Sequence, residues 1–399
     1  MVSKKIRPVS ALSSALSSTL FSALLLCSVF SPTSQAELPN DTVPNVLTLP
    51  EAHPESWLYV QDMNFWGMTE GKVIILDIAS NTRNYKGQVS TGFFGSFIPS
   101  TERNEMYSAE TYYARGTRGA RTDVLSVWDN ATLSVKKEIE LPHKKRAQTV
   151  SEKNATQLID NDKYMLVFNF TPATSVSVID MLEHKVLNDV DIPGCSLIYP
   201  SGKRGFSTLC ADGSMLSIQL DEQGKVASET RVPSFFNVDE DPLFEKYARI
   251  NNVGYFPTFH GYMQPVDLSG PVAKPQEKWD LLSASEREQN WRPGGWQIIS
   301  GHPDGRVFVL MHKDGVNGSH KDGGTEVWVY DTKQHKKIKT IPLEIHGISL
   351  EVTKGDEALL AVTNAKMMID VYNPKSAKLE RTLSIGGDNA NPFTLTAVE

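Results

Sequence analysis

The chain has 399 residues, 40% of them hydrophobic and 22% charged, with 47 acidic against 40 basic side chains and a formal net charge of −7. That acidity argues against nucleic acid as a partner, because phosphate binding needs a basic surface. The basic pieces Arg115-Gly-Thr-Arg-Gly-Ala-Arg121 and Lys144-Lys145-Arg146 are short and isolated, and read as solvated turns and loops.

Residues 1–36 have the pattern of a cleavable secretory signal. Lys4, Lys5 and Arg7 supply a positive start, an apolar and Ser-rich run follows, and Ser34-Gln35-Ala36 offers small residues for cleavage after Ala36. The apolar run is too short and too broken by serine to span a bilayer, and no later run is long enough, so no membrane association is expected. Cleavage removes three positive charges and takes the formal charge from −7 to −10. It also discards Cys27 and leaves Cys195 and Cys210 in an oxidising compartment, which favours a disulfide between them.

Residues 37–399 carry one pattern repeatedly: alternating apolar residues, a large apolar residue followed by Asp or Asn, a polar turn, and a second short run. Copies end at Asp77, Asp129, Asp180, Asp221, Asp267, Asp331 and Asn373, spaced by 41 to 64 residues. That is close to the period of propeller blades. At a strand end such a side chain accepts hydrogen bonds from the backbone of the following turn. The marker strands are apolar on both faces, as in Val327-Trp-Val-Tyr330, while the runs after them, such as Lys136-Lys-Glu-Ile-Glu-Leu141, alternate with one wet face. The expectation is an all-β, seven-bladed β-propeller of four-stranded antiparallel blades forming a single domain. Helical signals are confined to 241–247 and 281–288, where Ser283 or Ser285 could cap a turn or two.

Catalytic patterns are scarce. There is no phosphate-binding glycine loop, no Gly-x-Ser-x-Gly elbow and no His-Glu-x-x-His helix. His312, Asp314, His320 and Asp322 have metal-ligating chemistry, but the lysines and glycines around them describe a solvated hairpin loop equally well, and no metal is expected. Cys195 and Cys210 flank a Pro-Ser-Gly turn. They lack a Cys-x-x-Cys spacing or a helix N-terminus to activate a thiolate, so they read as a structural staple.

Several stretches resemble the heavy (large) chain of the quinoprotein amine dehydrogenases. They are Arg115–Asp129, Glu140-Leu-Pro142, Thr171-Pro-Ala-Thr-Ser175, the cysteine hairpin and Asn290-Trp-Arg-Pro-Gly-Gly-Trp296, in that order over most of the chain. Phe236–Phe244, Met311–Lys321 and Glu326–Lys333 look closer to the aromatic (aralkyl) amine branch than to the methylamine branch. The resemblance implies a periplasmic subunit with no catalytic residue and no cofactor of its own. Tryptophan tryptophylquinone would sit in a small cysteine-rich light chain, in an assembly of two heavy and two light chains, and electrons would pass to a blue copper protein of the azurin or amicyanin type. Thr91-Gly-Phe-Phe-Gly-Ser-Phe97 matches the segment whose phenylalanine lines the substrate channel, and this assigns that role to Phe93. Alternatives from other classes are a methylamine dehydrogenase heavy chain, a free-standing lactonase-type hydrolase holding calcium in its channel, and a secreted binding propeller.

Overall fold

Every Asp or Asn marker ends or directly follows a strand and turns the chain there. Asp129 Oδ1 accepts from the amides of Ala131 and Thr132 at 3.1 and 2.8 Å, and Asp180 Oδ1 from Leu182 and Glu183 at 2.8 and 3.0 Å. Asp331 and Asn373 repeat the arrangement with Lys333 and Gln334, and with Lys375 and Ser376. The carboxylate or amide satisfies turn amides that no strand neighbour reaches, which is why this residue type recurs at strand ends.

The computed structural model describes residues 47–67, 70–142, 145–146, 152–386 and 389–399. The expected signal segment 1–36 lies outside them. Thr48–Glu399 form one compact unit. Its strands make successive antiparallel sheets, four of them with four strands and one with five. The first sheet takes its innermost strand, Pro392–Ala397, from the far end of the chain, followed by Trp57–Asp62, Gly71–Asp77 and Tyr85–Thr91. The blade of the cysteine hairpin runs Cys195–Pro200, Gly205–Cys210, Met215–Leu220 and Val226–Val232, buried inside and exposed at its outer strand.

The expectation of seven separate four-stranded blades is corrected here. Five sheets stand as discrete blades, and the residues from Arg292 to Leu383 form one continuous eight-stranded sheet. The cause is the 17-residue strand Lys336–Val352. Its first part pairs with Gly324–Asp331 and its last part with Leu360–Asn364, so the chain stays extended where elsewhere a loop leads from one blade to the next. Register shifts beside Gly324 and Gly347 let the strand bend without leaving the ladder. The marker pattern locates strand ends but does not show which strands share one hydrogen-bonded sheet, so its count of seven blades does not hold.

Apolar faces interlock between neighbouring sheets. Tyr164, Leu166, Ile198, Tyr199, Phe206, Ile218, Phe256 and Val266 belong to one buried cluster drawn from three successive sheets. Helix is limited, among the described residues, to Ala284–Glu288 and a few 3-10 residues. Ser283 caps the helix through the amide of Glu286, whose carboxylate returns to the Ser283 amide. The other helical candidate, 241–247, is irregular. Cys195 and Cys210 lie opposite each other on paired strands and are joined as a disulfide.

Candidate functional site on the aromatic face

Because consecutive strands are antiparallel, the hairpins between second and third strands and the connections to the next inner strand emerge on one face. That face carries a run of aromatic side chains. Phe93 and Phe94, in the connection 92–95, have ring centroids 4.6 Å apart. Tyr113 meets Phe93 edge-on at 6.0 Å, and Phe65 meets Phe94 at 6.0 Å. Phe393 continues the run at 5.2 Å from Phe65, and Trp296 follows at 5.8 Å from Phe393. Offset and edge contacts of this kind hold rings in place while leaving faces open. Phe93 is half-buried, Phe94 is 9% exposed, and Trp66 beside Phe65 is 75% exposed.

Glycines shape the connection that bears Phe93. A Cβ on Gly92 would stand 2.9 Å from the Thr111 carbonyl oxygen, and one on Gly95 would stand 2.7 Å from the Thr91 Cβ. Phe94 takes a left-handed backbone with φ of 45°, a conformation uncommon outside glycine. It is held from beneath by Arg146, which is 2% exposed. Arg146 Nη2 donates to the carbonyls of Phe93 and Phe94 at 2.9 and 2.8 Å, and Nε donates to Thr111 Oγ1 at 2.9 Å. Thr111 Oγ1 in turn donates to Asp123 at 2.7 Å, and Arg121 forks onto the same carboxylate at 2.9 and 2.7 Å. Burial pulls the Arg146 guanidinium down to about 10, against the opposing pull of the Asp123 and Glu110 charges, so it remains a cation at neutral pH. The reading of Lys144-Lys145-Arg146 as a solvated basic piece is therefore wrong for Arg146.

At the other end of the run Lys246 sits over the Trp296 ring at 5.3 Å and pairs with Glu152 and Glu245 at 3.2 and 2.7 Å. Burial raises the Glu152 carboxyl to about 7, with Lys246 opposing the rise and Glu245 adding to it.

A cavity of about 400 Å³ lies among the inner strands. Its buried carboxylates are already engaged. Glu351 accepts from Lys153 and Lys354 at 2.7 Å each, from Gln297 at 2.7 Å and from Ser300 at 2.9 Å. Asp162 accepts from Ser100 Oγ and the amides of Thr101 and Glu102. This is a brace between blades, and neither carboxylate is offered to a channel cation. In the loop 311–324, His312 bonds Ser319 at 2.9 Å instead of meeting Asp314, and among the described residues no three His, Cys, Asp or Glu side chains converge.

Two tryptophans in ring contact, Trp291 and Trp328, lie 4.8 Å apart, but both are sealed in the core, where no substrate reaches them. The family resemblance names Phe93 alone of the aromatic run, and Trp296, beside a tight Pro-Gly-Gly turn, reads from the sequence as a packing residue. No local motif marks Phe65 and Phe393, which meet only through closure of the ring, or Arg146, which reaches the 92–95 connection from about fifty residues further along the chain.

A sequence model of the methylamine dehydrogenase heavy chain (MADH) family matches residues 56–394. Methylamine dehydrogenase heavy chains from Methylorubrum extorquens and Methylobacillus flagellatus are 27% identical over 304 and 327 residues. Those alignments cover 75% and 80% of this chain, and 74% and 80% of the relatives. The heavy chain from Paracoccus versutus is 27% identical over 331 residues, covering 82% of this chain and 76% of its own. Two solved structures share the fold alone. One is the dihydro-heme d1 dehydrogenase NirN in complex with DHE, at TM-score 0.54 and 14% identity over 89% of this chain and 78% of that one. The other is the Cps50 (Swd1) β-propeller domain of Myceliophteria thermophila, at TM-score 0.51 and 12% identity over 83% of this chain and 99% of that one. With the family match running through nearly all of the described β-sheet unit, the chain belongs to the methylamine dehydrogenase heavy chain family.

Proposed function

We propose that this chain is the heavy subunit of a periplasmic, tryptophan tryptophylquinone-dependent amine dehydrogenase, serving as scaffold and as one wall of the substrate channel. The quinone belongs to a small cysteine-rich light chain, in an assembly of two heavy and two light chains. When bound, that quinone takes two electrons from the amine, which with water leaves as aldehyde and ammonia, and a blue copper protein receives the electrons. The heavy chain's share is to bind and orient, and the observation that carries this reading is the aromatic run centred on Phe93 and Phe94. Several rings in tilted and edge contact suit aralkyl and aromatic amines better than methylamine, because an aromatic substrate gains area and ring contacts there.

Co-purification from the source tests the subunit assignment. The chain is expected to carry a small quinone-absorbing partner, and the chain expressed alone is expected to show no amine oxidation with an artificial electron acceptor. Full activity of the isolated chain would overturn the assignment. In the assembled enzyme Phe93→Ala is expected to change the relative turnover of bulky and small amines while assembly stays intact. Unchanged selectivity would remove Phe93 from the channel.

A further inference from the structure

We propose that Arg146 is the positioning residue of the aromatic wall, fixing the pose of Phe93 and Phe94 through their backbone carbonyls and so setting which amines pass. This rests on the reading of Phe93 as a channel residue. Both carbonyls accept from the same Arg146 nitrogen, so two successive peptide groups converge on one point. The left-handed turn at Phe94 is the backbone conformation that accompanies this convergence. The Phe93 amide is tied in turn to the Thr111 carbonyl at 3.0 Å. With both peptide planes on either side of Phe93 anchored, its Cα–Cβ direction is set, and only two side-chain torsions remain to the ring.

The anchor is itself anchored. Thr111 links Arg146 Nε to Asp123, and Arg121, paired with Asp123, donates to the Arg146 carbonyl at 3.0 Å. The network spans the connection at 92–95, the long hairpin Glu105–Asp129 and the segment at 145–146. A guanidinium suits this place because its planar fork reaches the Phe93 and Phe94 carbonyls and Thr111 at once, while a lysine ammonium offers a point charge on a flexible stem. Burying a cation beneath a loop is costly unless its hydrogen bonds are made. Here the three bonds described end on that loop and on Thr111, which ties the loop down.

The test compares Arg146→Lys, Thr111→Val and Phe93→Ala in the assembled enzyme, with steady-state kinetics on an aralkylamine and on methylamine. If Arg146 positions the wall, Arg146→Lys shifts the ratio of the two KM values about threefold to tenfold in the same direction as Phe93→Ala, with kcat on methylamine retained. Amide hydrogen exchange in residues 92–97 also quickens, a readout that general loss of stability would spread over the whole chain. If Phe93→Ala shifts the ratio and Arg146→Lys does not, the positioning role is overturned and the channel reading stands. If Phe93→Ala shifts nothing, the channel reading falls and this inference falls with it. Should Arg146→Lys fail to assemble, Thr111→Val, which removes the Nε acceptor together with the hydroxyl's bond to Asp123 and leaves both carbonyl bonds of Arg146 in place, decides by the same two outcomes.

Discussion

Glu351 is 1% exposed, yet it is held as a carboxylate. Burial alone would raise its pKa, but Lys153 and Lys354 outweigh burial and hold it down at about 2, below the ordinary 4.5. A carboxyl depressed on folding stabilises the protein above its unfolded pKa and loses that contribution as pH falls through the folded value. The Glu351 contribution is therefore complete above about pH 4.5 and fades toward pH 2. Glu351→Gln replaces one carboxylate oxygen with an amide NH2, so one pair of donors (Lys354 and Ser300, or Lys153 and Gln297) loses its acceptor there and both lysines lose their counter-charge, at an expected cost of about 3 kcal/mol at neutral pH. Denaturant melts across pH should also show a flatter acid limb in this range. An unchanged acid limb would mean that the lysines do not govern this carboxylate. Arg146 and Glu351 both carry charges into the interior at positions that look like ordinary polar sites in the sequence.

Among the elements, the cysteine hairpin behaves as its spacing implies. Cys195 opens an inner strand, Cys210 ends the next, and register places them directly opposite, with a sequence separation of 15 residues. Closing a loop of this length is worth roughly 3 kcal/mol in the chain-entropy view. The double change Cys195→Ala with Cys210→Ala is expected to lower unfolding stability by that order while leaving the aromatic face untouched. A much larger loss would mean that the pair holds more than one hairpin. The strand Lys336–Val352 shows the opposite case. Its alternation reads as an outer strand followed by an inner one, and nothing in Pro342-Leu-Glu-Ile-His346 signals that the ladder continues between them. Whether a crossing segment loops out or stays paired depends on neighbours on both sides, which local pattern does not contain.

At the scale of the whole molecule, the first sheet is completed from the other end of the chain. Pro392–Ala397 pairs along Trp57–Asp62, and Gln297 adds bonds to Leu395 at 2.9 and 3.0 Å. Ending the chain before Pro392 would leave Trp57–Asp62 as an open, apolar inner edge, which invites pairing with other chains. Such a truncation is expected to give aggregated protein in size-exclusion chromatography, and a soluble monomer of native stability would contradict that role for closure. The same closure assembles the aromatic face, since Phe65 and Phe393 are more than 300 residues apart in the chain and 5.2 Å apart in space.

The amino-acid order alone makes legible the strand repeat, the Asp and Asn turns, the cysteine staple and the absence of familiar catalytic motifs. These depend on neighbours within a few residues, where side-chain period and turn chemistry act directly. It also pointed to the family, through stretches that keep their order along the chain, and to Phe93. That the strands from Arg292 to Leu383 run as one eight-stranded sheet follows from pairing across the fold and not from local pattern. Tertiary contacts alone bring Phe65, Phe393 and Trp296 into one aromatic run with Phe94 and Phe93, and bury Arg146 beneath it. The physical reason is the same in each case: these features arise where segments distant in sequence exclude water from one another, and a side chain carries no local mark of the partner it will meet there.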